Sequence, residues 1–402
     1  MTKSTLRGAR LLYLLAIIKL LILIDFMMLM PLGPALMRDL GVKPREFGPL
    51  VSAYTVASAF TGLLGSRLLD RYPRRPLVAA LLTVFAGATI ATGLGHEVWA
   101  LFLGRVIAGG AAGLLWSLVM TVLMDAYPPR ERGRALGVVM GAYSAAAVVG
   151  VPLGLVLASW GSWRVPFLSV GALALALCVV AGRTLPHSSP TRDGSVAVGA
   201  LHPRLMRGWG LTFMVVFTGF LLIPYLGTFL SDNLGFSPRQ LALVYGVGGA
   251  VSFFSARLIG HVVDRWDARW VLTCLIVASA IPHVLFARQT SSALVLVVPL
   301  FVAFMVFTSG RVIPTLELIT RDVPPQVRGR FLSINTSVGD LASGLAAFLA
   351  ARHLAVDANG ALVGLDRLGI VAACAGGVTL VVLHGVLRPA AAPRGEEVRQ
   401  AT

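Results

Sequence analysis

Apolar runs of eighteen or more residues recur along the whole chain, each broken by a short cluster of charge, Pro or Gly. Wound as a helix at about 1.5 Å per residue, such a run crosses a hydrocarbon core about 30 Å thick. Every backbone N–H and C=O in that core needs an internal partner, so the runs are read as helices. The pattern predicts twelve of them, at 11–37, 47–69, 76–95, 98–124, 135–158, 165–185, 208–231, 239–262, 270–287, 293–319, 330–351 and 368–388. The first run is too long for the core of a signal peptide and no small-residue cleavage site follows it, so it is read as a retained helix. Composition points the same way. Of 402 residues, 56% are hydrophobic and 13% charged, and the mean hydropathy of +0.82 exceeds what a soluble fold tolerates. The fold class expected is an all-α membrane protein.

The net charge of +16 does not make a nucleic-acid binder, because the basic residues are scattered at helix ends and form no single basic domain. With both termini on one side, that side carries 22 of the 34 Lys and Arg residues, the other 8 and the helix interiors 4. The positive-inside rule makes the rich side cytoplasmic. Cys178, Cys274 and Cys374 all lie in apolar runs and read as small core residues. They suggest neither a disulfide framework nor a metal site.

The chain repeats itself. Asp70-Arg71 returns as Asp264-Arg265 at an offset of 194, and "PPRERGR" (128–134) returns as "PPQVRGR" (324–330) at 196. Two unrelated loops recurring at nearly one spacing argue for two six-helix halves. Both copies fall on the same side, so the halves run in parallel. The expected division is an N-terminal half (1–185), a linker (186–207) rich in Pro, Ser, Gly and charge, and a C-terminal half (208–402).

The residues of these loops resemble a known family. The stretch Ser66–Arg75 is similar to the Gly-x-Leu-x-Asp-Arg-x-Gly-Arg-Arg loop between helices 2 and 3 of major facilitator superfamily transporters, with Leu68, Asp70, Arg71, Arg74 and Arg75 in register. Ser66 and Pro73 replace the two glycines. Gly260, Asp264, Arg265 and Arg269 make a looser second copy. Arg105 to Gly109 resembles the family's Arg-x-x-x-Gly pattern, and "GVPLG" (150–154) a shifted form of its helix-5 antiporter motif. "DFMMLMPLGP" (25–34) and "LIPYLGTFL" (222–230) are similar to the arabinose-efflux-like branch of the drug:proton antiporters. The resemblance implies the major facilitator fold, twelve transmembrane helices in two parallel halves. It also implies multi-pass residence in a bacterial-type inner membrane.

Charges inside the helices carry most of the functional signal, because each is costly at mid-membrane and usually faces a cavity or a partner. They are Lys19, Asp25, Arg105, Arg257, Arg311, Glu317 and Asp340. Asp25 falls near the midplane, and the family places an acid in helix 1 and an arginine in helix 4. Asp25 and Arg105 are therefore the expected proton-coupling residues. Arg311 and Asp340 share a depth, ten residues in from Arg321 and Arg330, and are expected to pair. Lys19 and Glu317 share a shallower depth and could pair as well. Arg257 is expected to snorkel. The resemblance puts Met28, Trp116, Tyr143, Tyr225, Phe304 and Phe307 on cavity-lining helices, so the substrate cavity is expected from Met28, Trp116, Tyr143, Tyr225, Phe307, Arg311 and Asp340. Asp70, Arg71, Arg74, Asp264 and Arg265 are the expected gate, tying the cytoplasmic ends of the halves together in one conformation. Gly109, Gly113, Gly150 and Gly154 make small-residue faces for close helix contact, and Pro152 is expected to bend helix 5.

These features predict a proton-coupled efflux transporter for a small amphipathic or sugar-like molecule, working as a monomer in the bilayer without a cofactor. A uniporter or lipid flippase on the same scaffold, or a membrane sensor, would share them. His96-Glu97 lacks the second histidine of a zinc-protease motif, no Gly-x-Ser-x-Gly occurs, and no phosphate loop suits ATP.

Overall fold

The computed structural model describes residues 3–65, 72–185, 203–321, 323 and 325–386. Helices α1 (Lys3–Leu40), α2 (Pro44–Leu64), α3 (Arg74–Leu94) and α4 (Val98–Ala126) follow the first four hydropathy runs. Segment α5 (129–159) is interrupted, and α6 (Arg164–Thr184) closes the first group. Segment α7 (203–233) begins as Pro203–Phe220 and continues through short turns to Asn233. It is followed by α8 (Pro238–Arg265), α9 (Ala268–Ala287) and α10 (294–320), which is broken at Arg311. The chain then forms α11 (Pro325–His353), a hairpin of β1 (Ala355–Val356) and β2 (Leu362–Val363), and α12 (Leu365–Val386).

Local chemistry sets several boundaries. Ser237 caps α8 in a reciprocal box with Gln240, and Pro238 occupies the first turn, where its missing N–H costs nothing. Glu46 reaches back to the Lys43 amide at the start of α2. The turns that enter α2 and α8 each need a left-handed residue and each use glycine, Gly41 at φ 65° and Gly235 at φ 69°. These two glycines are 235 − 41 = 194 residues apart, the offset of the Asp-Arg loops, so the repeat extends to backbone geometry.

Eleven helices among the described residues are long and apolar enough to cross a membrane. The exception is the fifth expected span. There Pro129–Met140 and Ala142–Ala145 lead into a π-helical turn, Ala146–Gly150, before Val151–Ser159 resumes the α-helix. The expected bend at Pro152 is thus preceded by a widened turn. It lies where α5 crosses α8, with Gly249 against the Ala147 backbone and Gly246 beside Pro152.

Helices α1 to α6 pack into one bundle, with α3 against α4 and α6, α2 against α4, and α1 against α4, α5 and α6. In the second bundle α7 meets α11 and α12, α8 meets α10, and α9 meets α10 and α12. The bundles join where α2 lies on α11, α5 on α8 and α1 on α7. The small-residue faces act as expected: a side chain at Gly109 or Gly113 would collide with the Tyr54 or Ser58 carbonyl of α2. Large apolar side chains such as Leu64, Trp99, Val295 and Val381 point outward, as they should toward lipid. Cys274 and Cys374 are exposed among them, so these two are surface residues and not the core residues expected. Cys178 is half-buried beside Thr83.

Candidate functional site

Asp25 on α1 and Arg105 on α4 meet in the middle of the first bundle. Arg105 Nη1 donates to Asp25 Oδ2 at 2.9 Å, and Nη2 to the Asp25 carbonyl at 3.3 Å. Both side chains are 0% exposed. The guanidinium also lies over the Tyr54 ring at 4.3 Å, a cation–π contact that strengthens when water is excluded. Tyr54 is held in turn by its hydroxyl, which donates to the Ile22 carbonyl at 3.2 Å. Thr89 of α3 is buried beside the carboxyl. The family-based expectation for Asp25 and Arg105 concerns coupling, and the geometry brings the two together as a dry ion pair.

A cavity of about 50 Å³ lies close by, at the junction of α1, α2, α4 and α11. Its walls include Lys19, Phe26, Tyr54, Ser58, Trp116 and Asp340. Lys19 Nζ stands 3.7 Å above the Trp116 ring. Asp340 accepts from the Ser58 hydroxyl at 2.7 Å, a hydrogen bond from one bundle to the other. The walls therefore combine a cation, an anion, a hydroxyl and three aromatic rings around a space that spans the seam.

Of the residues expected at a substrate cavity, Asp340 and Trp116 line this space, whereas the others are spread elsewhere. Met28 is fully buried and packs beside Gly154. Tyr225 is also fully buried and donates to the Ala347 carbonyl at 3.1 Å, sealing α7 to α11. Tyr143 is 47% exposed, outside the cavity wall. Phe307 is half-buried on α10, and Phe304 is buried beside His283. Arg311 is buried in the second bundle and makes no ion pair with Asp340. The expected pairing fails because α11 turns Asp340 toward α2, while Arg311 is directed at Gly219 of α7. Lys19 and Glu317 do not pair either: Glu317 is exposed and Lys19 faces Trp116. Arg257 is exposed, over the Phe253 ring.

Of the expected gate, Asp70 and Arg71 lie outside the described residues. Arg74 is buried and forms an ion pair with Asp125 at the end of α4, within its own bundle. Asp264 and Arg265 are exposed at the end of α8. Another clasp between bundles was not anticipated. On the face opposite the termini, Arg38 donates to Asp232 at 3.0 Å and to Ser231 at 3.1 Å, joining α1 to α7. Beside it, Asn233 bonds both backbone groups of Leu362 in the hairpin, each at 2.9 Å. Ser58 and Tyr54 were also missed, since an isolated hydroxyl in an apolar run carries no pattern of its own.

A family model described as Major Facilitator Superfamily matches residues 15–347. A chloramphenicol efflux pump of Mycobacterium tuberculosis is 28% identical over 245 residues, and the chain spans 59% of that relative's length. A chloramphenicol resistance protein of Streptomyces lividans is 27% identical over 357 residues, 85% of this chain and 89% of its own. A probable sugar efflux transporter of Helicobacter pylori is 26% identical over 235 residues, 57% of this chain and 59% of its own. Among solved structures, a D-xylose–proton symporter superposes with a TM-score of 0.75 at 15% identity, over 94% of this chain and 97% of its own. A bacterial homologue of the lysosomal transporter Spinster, inward-facing and occupied, gives 0.73 at 17% over 94% of both chains. At these identities the structures establish the fold.

Proposed function

The chain belongs to the major facilitator superfamily, and from that premise we propose that it is a proton-coupled exporter of a small amphipathic molecule, working by alternating access. The observation that carries this reading is the fully buried Asp25–Arg105 pair beside a cavity that spans the seam between the bundles. A proton on Asp25 cancels one charge of the pair and leaves Arg105 to the Tyr54 ring and a backbone carbonyl. Protonation and the separation of α1 from α4 are then two descriptions of one event, which is what a carrier needs to make proton affinity follow conformation.

The cavity suits a molecule with an apolar body and a few hydroxyl or amide groups. Phe26, Tyr54 and Trp116 offer apolar faces, and Lys19, Ser58 and Asp340 offer both donors and acceptors. Chloramphenicol and sugars, named for the relatives, match that polarity and are the first molecules to assay; at about 50 Å³ the cavity has to widen to admit either. In this reading the face bearing the termini is cytoplasmic and the membrane is the bacterial inner one. The Asp70 and Asp264 loops hold the cytoplasmic ends together in the outward-facing state, and Arg38–Asp232 clasps the opposite face in the state described here. The halves, the second of which begins with α7 at Pro203 and so takes in the last residues of the expected linker 186–207, rock about the seams α2–α11, α5–α8 and α1–α7.

The test is transport in proteoliposomes that contain a pH-sensitive dye. Addition of substrate should move protons in the opposite direction, and Asp25→Asn should exchange substrate without moving them. Substrate flux with no proton movement in the parent protein would make it a uniporter and end the coupling proposal.

A further inference from the structure

Each bundle directs an arginine from its fourth helix at the same place on its first. In the N-terminal bundle Arg105 of α4 meets the carboxylate of Asp25 on α1. The repeat offset carries residue 25 to residue 25 + 194 = 219, where α7 has a glycine. Arg311 of α10 presents Nη2 to that glycine, 3.6 Å from where a β-carbon would stand. One bundle has an acid there and the other has no side chain at all.

Arg311 is 1% exposed, and its Nη2 has no hydrogen-bond partner among the described residues. Its Nε donates to the Thr308 carbonyl one turn back, at 3.3 Å. Thr308 is buried as well, its methyl group abuts the Gly219 position, and its hydroxyl is without a partner. The charged Nη2 donor and the Thr308 methyl thus flank Gly219, and the Thr308 hydroxyl, one turn from Arg311 on the same helix, is a second donor without an acceptor among the described residues. Among the described residues no carboxylate forms an ion pair with Arg311. His283 of α9 lies within electrostatic reach. Its Nδ1 faces the Ser279 carbonyl, so Nδ1 carries a proton and the ring is either neutral or cationic. It therefore supplies no negative charge.

A guanidinium keeps its proton inside proteins, and a buried charge with no counter-charge is strongly unfavourable. The arrangement lacks one component, a compact anion able to accept from both Arg311 and Thr308. We propose that Arg311 and Thr308 bind a small monovalent anion of the chloride class opposite Gly219. The anion takes the role in the C-terminal bundle that the Asp25 carboxylate has in the N-terminal one. The two bundles are then neutral by different means, one with a built-in acid and one with an ion drawn from solution.

The test uses the full-length transporter in nanodiscs of zwitterionic lipid, which removes anionic headgroups as a source of charge. Unfolding temperature is followed by tryptophan fluorescence as sodium chloride replaces sodium gluconate at constant ionic strength. The parent should show a saturable upward shift with chloride and with bromide and none with gluconate. Thr308→Asp places a carboxylate three residues before Arg311, on the same helical face. It should abolish the halide response while unfolding in gluconate no earlier than the parent. Arg311→Met should also abolish it. Radiolabelled chloride should bind the parent and be displaced by bromide. An unfolding temperature indifferent to halide, absent chloride binding, or a halide shift that survives in either variant overturns the proposal. None of these results bears on proton coupling through Asp25.

Discussion

Asp25→Asn removes one charge from a pair in which both side chains are fully buried and 2.9 Å apart. Taking one partner from a buried ion pair costs about 3–5 kcal/mol, because the other charge remains in a poor solvent. Here Arg105 keeps two substitutes, the carbonyl of residue 25 at 3.3 Å and the Tyr54 ring at 4.3 Å. The asparagine oxygen can also still accept. A desolvated cation–π contact contributes about 2 kcal/mol, so the expected loss is at the lower end, about 3 kcal/mol. That is roughly a hundredfold in the folded-to-unfolded ratio. Asp25→Leu combined with Arg105→Met removes both charges and should recover most of this stability. Neither protein should accumulate substrate against a gradient, because neither can carry a proton at this site. Thermal unfolding in detergent measures the first expectation, and gradient-driven uptake into inverted vesicles the second. If the double variant loses as much as the two single variants summed, the residues do not act as a pair. If Asp25→Asn accumulates substrate as the parent does, Asp25 is not in the coupling mechanism.

Three further outcomes follow from the packing. Asp340→Ala and Ser58→Ala in a double-mutant cycle should show a coupling of about 1.5–3 kcal/mol, the range for a hydrogen bond to a charged group. Asp340→Ala with Arg311→Met should instead be additive to within about 0.5 kcal/mol, and appreciable coupling there would restore the pairing the structure argues against. The Arg38–Asp232 clasp is partly exposed, so Asp232→Ala should alter stability by no more than about 1 kcal/mol. Oxidative cross-linking of Arg38→Cys to Asp232→Cys should nevertheless stop turnover, and undiminished transport by the cross-linked protein would refute the clasp as a moving part. Gly109→Val forces α4 away from the Tyr54 carbonyl and should cost at least about 1–3 kcal/mol. Gly377→Ala, at an open position of α12, should leave thermal stability unchanged or raised, and an equal loss for both would mean that helix propensity and not close packing is being measured.

Hydropathy found the helices because span length is set by the bilayer and needs no tertiary knowledge. It overstated the fifth, where Pro152 was visible but the π-turn at Ala146–Gly150 was not. That turn sits in the contact of α5 with Gly249 of α8, and a distant contact leaves no local pattern. Depth reasoning singled out Asp25, Arg105, Arg311 and Asp340, of which the first three are buried and Asp340 is half-buried at the seam. It misjudged the pairing of the last two because depth is one coordinate and rotation about the helix axis is another. Each residue turns a helix by 100°, and α11 spends its contacts on α2 and α7, so Asp340 faces Ser58. Equal depth sets Lys19 beside Glu317, whereas Lys19 stands over an indole ring. Aromatic faces solvate cations as carboxylates do, and sequence spacing does not distinguish the two.

Residues 54 to 58 of α2 reach both acids, one through an arginine and one directly. Tyr54 covers the arginine that holds Asp25, and one turn later Ser58 holds Asp340 from the other bundle. About 6 Å of helix separates them, and the carbonyls of these same two residues bear on Gly109 and Gly113 of α4. A single turn that is locked at both ends and along its back cannot relax at one acid without disturbing the other. Substitutions at the two carboxylates therefore form one experiment, not two. Scanning them separately and adding the effects will misstate both, and the size of the discrepancy is itself the quantity that reports how firmly the turn joins them.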